Sequence, residues 1–242
     1  MERRVLNWNG IDAVLFDLDG VLTPTAEVHR RAWADMFNGY LAGRPGQQPF
    51  TDEDYFAHVD GKPRYDGVRD FLASRGIELP EGDRADSGDA VTVCGLGNRK
   101  NDEVNRLLER DGVSPYPGSV LLLDHLAARG VRMAVVSSSR NAPLVLRAAG
   151  IADRFGIVVD GSVAEAQGLA GKPSPATYEY AAAQLGVPTR RSVVVEDAVS
   201  GVQAGAAGDF GLVLGVDRGV GESALLAAGA DVVVSDLKEA VA

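Results

Sequence analysis

Apolar residues follow two different rhythms along the chain. From residue 116 onward, short β-branched runs alternate with Ala/Leu-rich stretches of helical period. The runs at 131–136, 156–160, 192–196, 211–216 and 231–234 read as strands; 119–129, 142–149, 175–185, 201–207, 222–228 and 237–241 read as helices. Such alternation predicts a parallel sheet with helices on both faces. The apolar stretch at 11–16 belongs to that sheet by its continuity.

Between 16 and 116 the rhythm changes. The segment is richer in aromatic and charged residues, among them Trp33, Phe37, Tyr40, Phe50, Tyr55, Phe56 and Phe71, and it has no strand-like run. Helical spacing recurs at Val68, Phe71 and Leu72 and again at Val104, Leu107 and Leu108. It predicts a helical insertion over 27–114, with a loop at 80–89. The expected fold class is α/β: a doubly wound parallel-sheet core of residues 1–26 and 115–242, with an α-helical domain at 27–114 inserted after the first strand.

Composition narrows the functions available. The 242 residues can bury a full core with room for the insertion. A net charge of −10 argues against general binding to nucleic acid or anionic membranes, both of which need a basic face. An anionic ligand would therefore need local cations or a metal. The single cysteine, Cys94, excludes an intrachain disulfide and fits a reducing cytoplasm, the expected location. Residues 1–10 carry charge but no signal-type apolar core, and no run approaches a membrane-spanning length.

The candidate chemistry lies where strands end, because ligands of open α/β sheets bind outside the carboxyl ends of the strands. The first strand delivers Asp17 and Asp19, two residues apart and so on one side of an extended chain, followed by Gly20 for a sharp turn. The run at 131–136 delivers Ser137, Ser138, Ser139, Arg140 and Asn141, and 192–196 delivers Glu196 and Asp197. Gly171-Lys172-Pro173 precedes a helix. Carboxylates gathered on one rim call for a hard divalent cation with oxygen ligands, Mg²⁺, at Asp17, Asp197 and Glu196. The metal and Lys172 suit a phosphoryl group, with Ser137 donating to one of its oxygens. One carboxylate can then serve as nucleophile and another as proton carrier.

Four motifs in order, DLDGV at 17–21, Ser137 after a strand, Lys172 in GKPSP and the Glu196-Asp197 pair, resemble the haloacid-dehalogenase-type (HAD) phosphotransferases over nearly the whole chain. The stretch from Phe16 through Thr25 and His29 to Trp33 is similar to the opening of the β-phosphoglucomutase-like subfamily, as are Tyr116-Pro117-Gly118, SSSRN at 137–141 and SGVQA at 200–204. Gly61-Lys62-Pro63-Arg64 and Arg99-Lys100-Asn101-Asp102 match positions of that subfamily's helical cap that contact sugar phosphates.

The resemblance implies a Rossmann-like HAD core with a cap, and the following roles. Asp17 is the nucleophile that becomes an aspartyl phosphate. Asp19 is the general acid/base and helps hold Mg²⁺, with Glu196 and Asp197 completing the metal site. Thr25 and His29 couple cap closure to proton transfer by Asp19. Ser137 and Lys172 hold the moving phosphoryl group; Ser139, Arg140 and Asn141 line the other side. Gly61, Lys62, Arg64 and Lys100 contact the substrate. The implied activity interconverts β-D-glucose 1-phosphate and glucose 6-phosphate, with glucose 1,6-bisphosphate as the activating phosphoryl donor. A sugar-phosphate phosphatase shares the same core. The expected partner is a small sugar phosphate, with no nucleic acid or membrane, and the expected state is a monomer.

From the residues alone, Arg64 and Lys100 are solvated helix charges, Thr25 is a candidate N-cap and His29 a packing or capping residue. Trp33, His58 and His125 are expected to be structural. GLGNRK at 95–100 lacks the third glycine and the preceding strand of a dinucleotide loop. Pro24 and Lys62 depart from the subfamily pattern, the first stiffening the entry to the insertion and the second adding a cation beside Arg64. A phosphorylatable signalling receiver shares the sheet and the aspartate but has no use for the long insertion.

Overall fold

A computed structural model describes residues 6–241. Residues 1–5 of the N-terminal stretch and residue 242 of the predicted core segment lie outside the described residues. The chain divides into two compact units, Met1–Pro24 with Val113–Ala242, and Thr25–Gly112. These boundaries fall two residues earlier than the expected 27 and 115.

The discontinuous unit is a six-stranded parallel sheet, β1 (Ala13–Phe16), β2 (Arg132–Val136), β3 (Ile157–Val159), β4 (Ser192–Glu196), β5 (Leu212–Val216) and β6 (Val232–Val234), in the order β3-β2-β1-β4-β5-β6. The first strand is central, and Phe16 lies opposite both Val135 and Val195. Every residue of β1 and β4 is buried, which explains why both read as unbroken apolar runs rather than alternating ones. On one face Leu15, Ala134, Val136, Val159 and Val194 pack with Tyr178, Ala181 and Ala182 of the helix Ala176–Leu185. The order reverses at β1, whose neighbours are β2 and β4, so a crevice opens at the carboxyl ends of β1 and β4.

Local chemistry explains where elements differ from expectation. The helix expected from 119 starts at Pro117, which suits the first helical position because it needs no N–H there. A helix over Gly161–Ala166 was not foreseen; Asp160 caps it by accepting from the Ser162 and Val163 amides, at 2.9 and 2.8 Å. The segment expected as a helix at 237–241 is instead a 3₁₀ turn, Leu237–Ala240, closed by an Asp236/Glu239 capping box. It is too short to propagate α-helical bonds.

The Thr25–Gly112 unit is helical, as its periodicity indicates. Its main helices are Thr25–Leu41, Arg64–Ser74 and Val93–Asp111, with a short helix Asp52–Asp54 and a π-helical turn Tyr55–Val59. Aromatic residues fill its centre. Phe71 lies 4.1 Å from Phe37 and 5.0 Å from Phe50 between ring centroids, and Trp33 stacks on Phe37. Cys94 belongs to the same core, and burial pushes its thiol above the ordinary cysteine value. Phe71→Ala is expected to cost about 3–5 kcal/mol by opening a cavity among these rings, measured by chemical denaturation followed by Trp33 fluorescence in a Trp8→Phe background. A cost below about 1 kcal/mol would mean that the rings collapse into the space. No helix among the described residues is long and apolar enough to cross a membrane.

Candidate active site

The loop after β1 carries the first two carboxylates. The Asp17 amide still bonds the Val195 carbonyl at 2.9 Å, so the chain stays in the sheet for one residue past β1. It then turns tightly: the Gly20 amide donates to the Thr23 carbonyl at 2.8 Å, and the Leu22 and Thr23 amides both donate to the Leu18 carbonyl. Gly20 has φ +86°, and a Cβ there would lie 1.8 Å from Asp197 Oδ2. Only glycine lets this turn approach the end of β4 so closely.

Lys172 forms the hub. Its ammonium donates to Asp17 Oδ1 and to Glu196 Oε1, each at 2.5 Å, and to the Val136 carbonyl at 3.2 Å. Burial works against that charge, but Asp17 and Glu196 outweigh it and hold the lysine well above its ordinary pKa. Burial likewise pushes the Asp17 carboxyl well above the usual carboxylate range, opposed by Lys172 and reinforced by Glu196 and Asp19.

Glu196 is held on both oxygens. Oε1 accepts from Lys172 and, at 3.0 Å, from the Tyr178 hydroxyl; Oε2 accepts from the Asp197 and Ala198 amides at 2.9 and 3.0 Å. These four donors engage both of its oxygens. Gly201 makes room for it, since a Cβ there would lie 1.7 Å from Oε1. Ser137 follows β2, donates weakly to Asp19 Oδ2 at 3.4 Å and accepts from the Ser139 amide at 3.1 Å.

The donor set fits a hard cation. One oxygen from each of Asp17, Glu196 and Asp197 lies within 4.8 Å of the others, and all three residues are buried. A cluster of buried carboxylate oxygens suits Mg²⁺, a hard cation that takes oxygen ligands.

The structure thus gathers Asp17, Asp19, Ser137, Lys172, Glu196 and Asp197 on one rim. The loop beyond Ser137 is tied down locally: Ser139 Oγ accepts from the Asn141 amide at 3.2 Å, and Arg140 is ion-paired with Glu165. In the Thr25–Gly112 unit, Thr25 opens its helix and is buried. Lys100 Nζ lies 2.6 Å from His29 Nδ1 and 4.8 Å from the Trp33 ring centroid. An ammonium only donates, so Nδ1 accepts and the His29 proton sits on Nε2. Gly61 has φ +69°, Lys62 pairs with Asp70 at 2.7 Å, and the Arg64 guanidinium lies 5.8 Å from the Tyr65 ring centroid. The extra cation expected beside Arg64 is therefore ion-paired with Asp70.

Two residues of the rim were not anticipated. Tyr178 contacts Lys172, and Arg218 follows β5. Arg218 Nε donates to the Gly20 carbonyl at 2.7 Å, Nη1 donates to the Ser235 carbonyl at 3.1 Å, and the guanidinium lies 4.0 Å from the Tyr116 ring centroid. It braces the turn that carries Asp19. Extending the strand-end rule to 211–216 would have found it.

The chain is similar to known proteins. A family model described as haloacid dehalogenase-like hydrolase matches residues 11–209. A β-phosphoglucomutase of Mycobacterium tuberculosis is 49% identical over 240 residues, 95% of this chain and 91% of that protein. An uncharacterized glycosyl hydrolase of the same species is 39% identical over 231 residues, covering 93% of this chain but 17% of that protein. A crystal structure of β-phosphoglucomutase from Clostridium difficile superposes with a TM-score of 0.77, covering 95% of this chain and 92% of that one, at 23% identity.

Proposed function

The chain belongs to the haloacid dehalogenase-like hydrolase family and is an enzyme; from that premise we propose that it is a Mg²⁺-dependent phosphomutase that interconverts β-D-glucose 1-phosphate and glucose 6-phosphate. The observation that carries this reading is the buried Lys172 ammonium, held at 2.5 Å from both Asp17 and Glu196 inside an all-oxygen cluster. Its closest chemical match is phosphoryl transfer, where negative charge on the moving group must be neutralised in a dry site. The name β-phosphoglucomutase on a relative 49% identical over almost the full length supports this choice of sugar phosphate.

In this mechanism Asp17 attacks phosphorus, the bond to the donor oxygen breaks, and an aspartyl phosphate forms. Asp19 gives the leaving oxygen its proton, then removes the proton of the acceptor hydroxyl that takes the phosphoryl group back. Glucose 1,6-bisphosphate is the phosphoryl donor that primes Asp17 and the intermediate of each cycle. Lys172 and Ser137 bind oxygens of the moving group. Asp17, Asp197, the Asp19 backbone and Glu196 would hold Mg²⁺, which would supply charge neutralisation when bound. Thr25 and His29 assist proton transfer, and Gly61, Lys62, Arg64, Lys100, Ser139, Arg140 and Asn141 bind the sugar phosphate. The alternative is hydrolysis of the same aspartyl phosphate, favoured by the family's description as hydrolases.

Product analysis separates the two. With Mg²⁺, β-glucose 1-phosphate and a trace of glucose 1,6-bisphosphate, glucose 6-phosphate is expected to accumulate in large excess over inorganic phosphate. EDTA should stop the reaction and excess Mg²⁺ restore it. Inorganic phosphate as the main product would make the enzyme a phosphatase, and neither product would reject this sugar.

A further inference from the structure

Among the described residues Tyr178 is the largest fully buried side chain; it contacts Lys172 and Glu196 and has no part in the reaction described above. Its neighbours on the helix Ala176–Leu185, Ala181 and Ala182, pack on the sheet as ordinary core. Its hydroxyl does not: it donates to Glu196 Oε1 at 3.0 Å, the same oxygen that accepts from Lys172. The face of its ring meets the Lys172 ammonium, 5.1 Å from the centroid. A phenol carries its proton at neutral pH, so the hydroxyl serves Glu196 as a donor.

We propose that Tyr178 is a positioning residue for phosphoryl transfer, acting through Glu196 to keep the Lys172 ammonium within reach of Asp17. Lys172 is shared between two carboxylates at equal distance. Whichever carries more unsatisfied charge draws the ammonium toward itself. On Glu196, the Asp197 and Ala198 amides engage Oε2, leaving Oε1 to be balanced by Tyr178. A hydroxyl on Oε1 spends part of that oxygen's acceptor strength, which weakens Glu196's hold on Lys172. The ring face adds a cation–π contact, 5.1 Å from the ammonium to the centroid, that helps fix where the ammonium sits. Without the hydroxyl the ammonium moves toward Glu196, away from the oxygens of the moving phosphoryl group.

This inference rests on the phosphoryl-transfer reading but not on the identity of the sugar, so its test uses a generic aryl phosphate and orthovanadate, a mimic of the five-coordinate transition state. Tyr178→Phe keeps the ring and removes the hydroxyl. Expected are a fall in kcat of about ten- to a hundredfold with KM changed less than about twofold, since an interaction realised mainly in the transition state is lost. Vanadate affinity measured by calorimetry in Mg²⁺ should fall by a similar factor, whatever the change in Tm. Unchanged kcat and vanadate affinity per folded molecule, even with a lowered Tm, would reduce Tyr178 to core packing and overturn the proposal while leaving the phosphoryl-transfer reading intact. Failure of the unsubstituted enzyme to bind vanadate or turn over the aryl phosphate would overturn both.

Discussion

Asp17→Asn is expected to lower phosphoryl transfer by about 10⁴-fold or more, because the amide cannot form the acyl phosphate on which both half-reactions depend. The same loss should appear with sugar phosphate and aryl phosphate, since neither bypasses the nucleophile. The variant should fold. Asparagine has the same shape, Lys172 keeps its contacts to Glu196 at 2.5 Å and to the Val136 carbonyl at 3.2 Å, and one of several crowded carboxylates disappears. Steady-state kinetics with a Tm measurement check both parts. Substantial activity in a folded Asp17→Asn enzyme would overturn the proposed chemistry.

Lys172→Met should combine a catalytic loss with a large loss of stability. Removing one charge donor to the moving phosphoryl group is expected to lower kcat by about 10²–10³-fold. The methionine also leaves Asp17 and Glu196 buried without their shared cation, which costs about 3–5 kcal/mol for a broken buried pair. Mg²⁺ binds the folded carboxylate cluster, so adding it should return part of that stability, and more in the variant than in the unsubstituted enzyme. Denaturation curves in EDTA and in excess Mg²⁺ measure this. Equal stability of variant and parent in EDTA would mean that Lys172 does not hold the cluster together.

These two residues illustrate what can be read from a chain and what cannot. Asp17 was legible because an apolar run that ends in a carboxylate is a local pattern, and in a parallel sheet every such strand end falls on one rim. Lys172 was legible from its place before a helix and from its motif, but its position between Asp17 and Glu196 was not. The contact joins residues 155 positions apart and exists because β1 and β4 are neighbours in the sheet. The pairing of His29 with Lys100, 71 positions apart, depends in the same way on two helices of one bundle.

The sequence by itself determined the α/β class, the helical character of the insertion, the strand ends that carry chemistry and the oxygen-rich nature of the site. Periodicity and charge report local backbone form and burial, and these suffice for such conclusions. Only the tertiary structure decided which polar groups share partners. It engaged both oxygens of Glu196, set Tyr178 against Lys172, braced Gly20 with Arg218, and paired Lys62 with Asp70 and Arg140 with Glu165. The reason is physical: a buried donor takes whatever acceptor the packing brings within about 3 Å, and sheet order and helix packing, not spacing along the chain, set that distance.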